Sequence, residues 1–251
     1  MRIALLSDLH ANLRAFEACV ADARALGTDR FALLGDLVGY GAEPAEVVDR
    51  VRALADAGAW VLRGNHDTLA ADPPATARRI DEGGAAWTAE RLGEERRAWL
   101  RGLPLMARVR SACLVHASAE SPAAWPYVDD ERRAARCLEA ALAADPSVRH
   151  VICGHVHVQR LFYRGAGRGL MAFEPSPGAV VPVPPHRHWV ATIGSVGQPR
   201  DGRTSAAWAL LDLARGQLQF RRVVYDHVAA ARAVEAAGLP QAWGRRLLAG
   251  R

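Results

Sequence analysis

The chain contains no lysine: all 32 of its basic residues are arginine, against 27 acidic residues, for a formal charge of +5. An arginine-only complement spread along the whole chain has the character of a composition bias, and it is nowhere concentrated into a basic run interleaved with aromatics. The pattern of a nucleic-acid surface is therefore missing, and nucleic acid is not the expected partner. The Arg-Arg pairs beginning at Arg78, Arg96, Arg132, Arg221 and Arg245 are expected on solvated helix or strand faces. Cysteine is scarce too. Cys19, Cys113, Cys137 and Cys153 have no close metal spacing and sit in apolar patterns, which predicts buried thiols in a reducing cytoplasm. No apolar run approaches the length of a membrane span. The first strand pattern starts at Arg2 and meets a polar candidate by Asp8, leaving no room for a removable leader.

Half of the 251 residues are apolar, enough for a sizeable core. Arg2 to Ser7 is apolar at successive positions, as in a strand covered on both faces. Asn12 is placed to cap a helix that buries Leu13, Phe16 and Val20 and stops at Gly27. A second strand at Phe31 to Leu34, a helix from Glu43 to Ala57 and a third strand at Trp60 to Arg63 complete a β-α-β-α-β opening, the signature of a parallel sheet. Residues 72 to 103 are expected as a helical excursion broken at Gly83-Gly84 and near Gly93, anchored by Trp87, Leu92, Trp99 and Leu100. Strands at Met106 to Arg110, Ala112 to Val115 and His150 to Cys153 follow, with a helix from Asp129 to Ala144. Short strands then alternate with Gly and Pro, reading as mixed or antiparallel sheet with turns at Arg164 to Gly169 and Ala214 to Gly216. The proline-rich stretch from Pro175 to Pro185 reads as an ordered loop or an edge connection. Helices from His227 and Gln241 form a tail that either covers the domain or makes a subunit contact in a homo-oligomer. The whole, residues 1–251, reads as one domain.

Five strand ends deliver metal-ligand side chains: Asp8 and His10, Asp36, Asn65 with His66 and Asp67, His116, and His155 with His157. Carboxylates and imidazoles gathered at the C-terminal ends of strands lie where open α/β sheets hold ligands. Asp8 and His10 are two apart in an expected extended segment, so both point the same way. His155 and His157 share that spacing, and either converge on one ion or diverge across two if their turn is sharp.

Together these blocks, Asp8-Leu-His10, Gly35-Asp36, Gly64-Asn65-His66-Asp67, His116 and Gly154-His155-Val-His157, resemble the ordered motifs of calcineurin-like metallophosphoesterases. The resemblance spans about residues 1 to 213. It implies a four-layer α/β/β/α sandwich of two mixed sheets flanked by helices. It also implies a site in which Asp8, His10 and His157 hold one ion, Asn65, His116 and His155 hold a second, and Asp36 bridges them. By the same resemblance Asn65 and His66 face substrate, with His66 contacting the phosphoryl group and protonating the leaving oxygen; a histidine that only fixes the loop is the other reading. Asp67 would orient the loop through backbone amides. The nearest resemblance within the family is to small bacterial phosphodiesterases and dinucleoside tetraphosphatases, through Gly35 to Gly41, Trp125-Pro-Tyr127 and Gly194 to Gly202.

The ligand set has a physical reason. Two ions about 3.5 to 4 Å apart neutralise phosphate oxygens and lower the pKa of a bridging water, whose hydroxide attacks phosphorus in line. The nitrogen and oxygen donors suit two di- or trivalent ions, Mn, Fe, Zn, Co or Ni, rather than Mg. Protein phosphatases carry an acid and an arginine where Gly39 and Tyr40 stand here, so the phosphate-gripping arginine is missing and His66 has no evident orienting partner. Tyr40 either bonds substrate or packs the loop; Arg200 either restores the lost charge or is a solvated turn arginine. Trp125 and Tyr127 either stack on a nucleobase at the mouth or anchor their loop. The expected activity is hydrolysis of phosphodiesters, phosphomonoesters or dinucleoside polyphosphates. The alternatives are a non-catalytic metal-binding scaffold or regulatory module, for which all seven ligands are unexpectedly complete, and a protein phosphatase or nuclease.

Overall fold

The computed structural model describes residues 1–76, 80–164 and 169–251. In chain order it forms β1 (Arg2–Leu6), α1 (Leu13–Ala25), β2 (Arg30–Leu33), α2 (Pro44–Asp56), β3 (Trp60–Val61), α3 (Asn65–Ala71), α4 (Ile80–Arg101), β4 (Met106–Val109), β5 (Ala112–Val115), α5 (Glu131–Ala144) and β6 (His150–Cys153). It continues through β7 (Gln159–Arg164), β8 (Leu170–Phe173), β9 (Val180–Pro182), β10 (Trp189–Ile193), β11 (Ala206–Asp212), β12 (Gln217–Val223), α6 (His227–Ala236) and α7 (Gln241–Ala249). Among the described residues the strands make two six-stranded mixed sheets, in the orders β3-β2-β1-β11-β12-β9 and β4-β5-β6-β10-β7-β8. The parallel opening is present as expected, with β1 paired to β2 and β2 to β3.

Successive apolar residues are needed because both faces of β1 are covered. Ile3 and Leu5 enter a core between the sheets with Leu114 of β5, Ile152 of β6 and Ala191 of β10. Ala4 and Leu6 turn the other way, toward Phe16 and Val20 of α1, Val47 and Val51 of α2, and Trp208 of β11. On the outer face of the second sheet Val151 and Cys153 meet Cys137 and Leu138 of α5. The outcome is helices, sheet, sheet, helix: the α/β/β/α sandwich. Asn12 caps α1 as expected, its Oδ1 accepting from Ala15 N at 3.2 Å. All four cysteines are buried and free.

Some expectations are corrected. Gly84 does not break α4; the helix runs through it, and the break comes at Gly93, whose φ of 67° is non-helical. The proline-rich stretch, expected as a loop or an edge connection, takes the second form and contributes β9 at the edge of the first sheet, where proline's missing donor faces no neighbour. Arg221 is no solvated strand arginine, since it pairs with Asp22, and Arg222 is held by Asp201. Arg96 does stay on a solvated helix face, where it pairs with the exposed Asp49, while Arg97 donates to the carbonyl of Ala71. Charge on an apolar-rich sandwich is placed where acids and orphan carbonyls need it. The expected turn between Arg164 and Gly169 and the pair at Arg78 lie outside the described residues. The C-terminal tail covers the first sheet: Ala231, Val234, Trp243 and Leu247 join its outer core.

Candidate metal centre

The loops after β1, β2, β5 and β6, together with the start of α3, meet at one end of the sandwich. Their side chains fall into two clusters with one member in common: Asp8, His10, Asp36 and His157, and Asp36, His116 and His155, all buried. Within each cluster the donor atoms lie within 4.8 Å of one another. Asn65 joins the second cluster, its Oδ1 3.2 Å from His116 Nε2. The structure thus brings all seven sequence-predicted ligands together, in the partition that the resemblance implies.

The route by which they converge differs from the expectation. Asp8 and His10 are not extended: their φ angles are 54° and 47°, and Asp36, His155 and His157 are left-handed as well, at 50°, 66° and 63°. Each such residue costs about 1–3 kcal/mol unless its surroundings enforce it. The sharp turn at His155 and His157 realises the divergent alternative, sending one imidazole to each cluster.

The hydrogen bonds fix which atoms remain to bind. His10 Nδ1 faces Val38 O at 3.2 Å, His157 Nδ1 faces Gln198 O at 2.6 Å, and His116 Nδ1 faces Leu34 O at 2.8 Å. A carbonyl only accepts, so each Nδ1 carries a proton and each Nε2 is the nitrogen turned inward, with a free lone pair wherever the ring is neutral. His10 Nε2 and His157 Nε2 are nevertheless 3.1 Å apart. His116 Nε2 faces the oxygens of both Asn65 and Asp36, the latter at 3.4 Å. Asp8 Oδ2 accepts from His155 N at 2.9 Å, while its buried Oδ1 has no donor among the described residues and lies 3.2 Å from His157 Nε2. Asp36 divides its oxygens similarly: Oδ1 accepts from His66 N, and Oδ2 lies 3.9 Å from His10 Nε2 on one side and 3.4 Å from His116 Nε2 on the other. Carboxylate, amide and imidazole donors converging in a buried site call for positive charge, and each of the two clusters fits a metal ion.

The electrostatics divide the imidazoles. Burial alone would lower His116, but Asp36 outweighs it and raises the imidazole to about 9, so that a proton on the side facing Asp36 supplies the positive charge that a bound ion would displace. Burial would raise Asp36, yet His116 and His66 hold it well below the usual carboxylate range. Burial and neighbouring imidazoles push His155 down to about 4 and His10 well below its ordinary value, leaving both neutral, as ligation requires.

Around the cluster, Asp67 accepts from the amides of Leu37, Val38 and Gly64 at 2.8, 3.2 and 2.8 Å, stitching the loop after β2 to the start of α3. Burial and then Asp36 raise its carboxyl to about 7. His66 does have an orienting neighbour, contrary to expectation: the Tyr40 ring packs 4.5 Å from it. A Cβ at Gly39 would lie 2.7 Å from His66 Nδ1, so the imidazole occupies the space where a phosphatase acid would begin. Trp125 meets His116 edge-on at 5.7 Å, and Tyr127 stacks on His155 at 4.2 Å. Both aromatics therefore rim the second cluster, with Tyr127 exposed. Arg200 lies 5.9 Å from the Tyr40 ring, beside the first cluster. Sequence reasoning missed Ser195, whose Oγ donates to Asp8 O at 2.8 Å, and Gln198, the acceptor for His157. Both belong to the Gly194 to Gly202 segment, which was legible only as a family trait.

The sequence profile of the calcineurin-like phosphoesterase superfamily domain matches residues 1–216. A metallophosphoesterase from Sphaerobacter thermophilus superposes with a TM-score of 0.87 and 32% identity, over 100% of this chain and 99% of that one. An uncharacterised protein of Methanocaldococcus jannaschii is 28% identical over 99% of this chain and 98% of its own. A symmetrical bis(5'-nucleosyl)-tetraphosphatase of Methylococcus capsulatus is 35% identical over 51% of this chain and 48% of its own. The chain belongs to the calcineurin-like phosphoesterase superfamily.

Proposed function

We propose that the chain hydrolyses phosphodiesters or dinucleoside polyphosphates at a site of two metal ions. Asp8, His10 and His157 would hold one ion, Asn65, His116 and His155 the other, with Asp36 between them. The observation that carries this reading is the position of Asp36 Oδ2, flanked by the inward-turned Nε2 atoms of His10 and His116. The nitrogen and oxygen donors suit Mn, Fe, Zn, Co or Ni. Bound there, such ions neutralise phosphate oxygens and lower the pKa of water.

The chain's own residues supply the rest. His66, steadied by Tyr40 and by the bond from its amide to Asp36, contacts the phosphoryl group and gives a proton to the leaving oxygen. The Asn65 amide orients the ester, and Tyr127 and Trp125 offer ring faces and edges to its organic part. The lack of room for a side chain at Gly39, where a Cβ would meet His66, disfavours a phosphoprotein phosphatase. The partial likeness to a bis(5'-nucleosyl)-tetraphosphatase supports a nucleotide ester. A complete set of convergent ligands disfavours a non-catalytic scaffold. The test is metal analysis of the purified protein and reconstitution with Mn²⁺, Co²⁺, Ni²⁺ or Zn²⁺, followed by assay of bis-p-nitrophenyl phosphate and dinucleoside tetraphosphate. Absence of turnover on every ester, with unchanged metal content in Asp36→Asn, would sink the reading.

A further inference from the structure

Two guanidinium groups lie over the ring of Tyr40. Arg200 Cζ is 5.9 Å and Arg246 Cζ 5.8 Å from its ring centroid, and the same ring is 4.5 Å from His66 and 4.8 Å from His10. Arg200 comes from the loop after β10. Arg246 comes from α7, beyond the residues that match the superfamily profile. Both side chains are half-buried. Asp201, the acid next to Arg200, is engaged by Arg222, and Arg200 Nη2 donates instead to the neutral Gln198 Oε1 at 3.2 Å. Among the described residues no ion pair includes Arg200 or Arg246, whereas Arg221 and Arg160 each face a carboxylate.

The two arginines are held as one unit. Gly202 N donates to Gly250 O at 2.9 Å, and a Cβ at Gly250 would lie 2.5 Å from the backbone of Arg203. The end of α7 is thus locked to the loop that carries Arg200. On its other side, α7 is seated by Trp243, which meets Tyr40 edge-on at 5.1 Å and fills the space beside Gly84, where a Cβ would be 2.0 Å from the indole. Two positive charges without acid partners, fixed beside a phosphoryl site, are placed to take a second oxyanion; a guanidinium fork matches phosphate bidentately.

We propose that Arg200 and Arg246, on the platform of Tyr40, form a subsite for a second phosphate group of the substrate, so that linear polyphosphate esters are favoured over single phosphates. This rests on the phosphoesterase reading above. Calorimetric titration of the Mn²⁺-loaded protein with methylenediphosphonate and with orthophosphate tests it without requiring turnover. The wild type is expected to bind the diphosphonate at least about ten-fold tighter than orthophosphate, the scale of one charge-assisted hydrogen bond. Arg246→Ala and Arg200→Ala each reduce that preference about ten-fold, and Arg246→Lys keeps part of it. Equal affinities in the wild type, or variants that weaken both ligands alike, overturn the subsite. Arg246→Gln, with its melting temperature measured alongside, replaces Arg246→Ala if the alanine variant does not fold. Turnover of bis-p-nitrophenyl phosphate by the wild type judges the phosphoesterase reading separately, since that ester carries one phosphate.

Discussion

The two halves of the centre differ in how they are enclosed. Asp8, His10 and His157 are almost wholly buried, with both imidazoles fixed by carbonyls and Tyr40 over His10. In the other half His116 is equally fixed, but Asn65 is only half-buried and His155 lies under the exposed ring of Tyr127. A closed half retains an ion through preorganised ligands, and an open half admits substrate at the cost of looser ligation. The lesson is that one Asp36 carboxylate serves two environments, so damage to it should erase the difference between them.

Asp36→Asn gives the largest expected effect. On the proposed two-metal reading several kcal/mol of charge stabilisation depend on the ions, so turnover of bis-p-nitrophenyl phosphate should fall about a thousand-fold, with metal lost from both halves. His66→Gln should lower turnover about a hundred-fold or more while metal content stays constant, because in the proposed mechanism the side chain faces the ester rather than an ion. Loss of metal in that variant would make His66 part of the open half's ligand shell. Stepwise chelation should remove one metal equivalent before the other. His155→Ala should lack the early equivalent and His10→Ala the late one, each with metal affinity reduced about ten- to a hundred-fold. The reverse order would break the closed-versus-open distinction. Gly84→Ala should destabilise the fold by about 1–3 kcal/mol in thermal melts, because the new methyl group meets Trp243, whose helix closes the first half.

The smallest effect lies at the opposite end of the second sheet. His150 begins β6, with Nε2 3.1 Å from Val183 O, and burial lowers its pKa below 6.5. A depressed histidine contributes stability in full above its unfolded value and loses it as pH falls through the folded one. His150→Gln should therefore flatten the decline in melting temperature below about pH 6.5 while leaving both metal equivalents in place. Metal loss in His150→Gln would contradict the separation of the two ends.

Much of this was legible in the chain because its signals are local. Successive apolar residues in β1 and β2 announced strands covered on both faces, and Asn12, Gly27 and the β-α-β-α-β order announced the parallel opening. The motif residues marked the site for the same reason, since each follows its own strand. Other features were hidden. The left-handed geometry of Asp8 and His10 is not legible in Asp-Leu-His: Asp and His are enriched at positive φ, but that preference is weak and no glycine marks the turn. Gly84 resembled a helix breaker, yet it is the hollow for an indole 159 positions later in the chain. Arg221 and Arg222 looked like solvated charge because the acids that hold them, Asp22 and Asp201, are remote in sequence.

The sequence by itself determined the parallel opening, the mixed strands after it and, through its resemblance to the family, the sandwich and the candidate ligand side chains, because apolar periodicity and strand-end motifs are carried by neighbouring residues. Only the tertiary structure decided which imidazole nitrogens face one another, that His155 and His157 part to separate clusters, and that Arg246 arrives beside Tyr40. Those outcomes depend on carbonyls, glycine hollows and left-handed turns supplied by distant segments. No local pattern encodes where such segments meet.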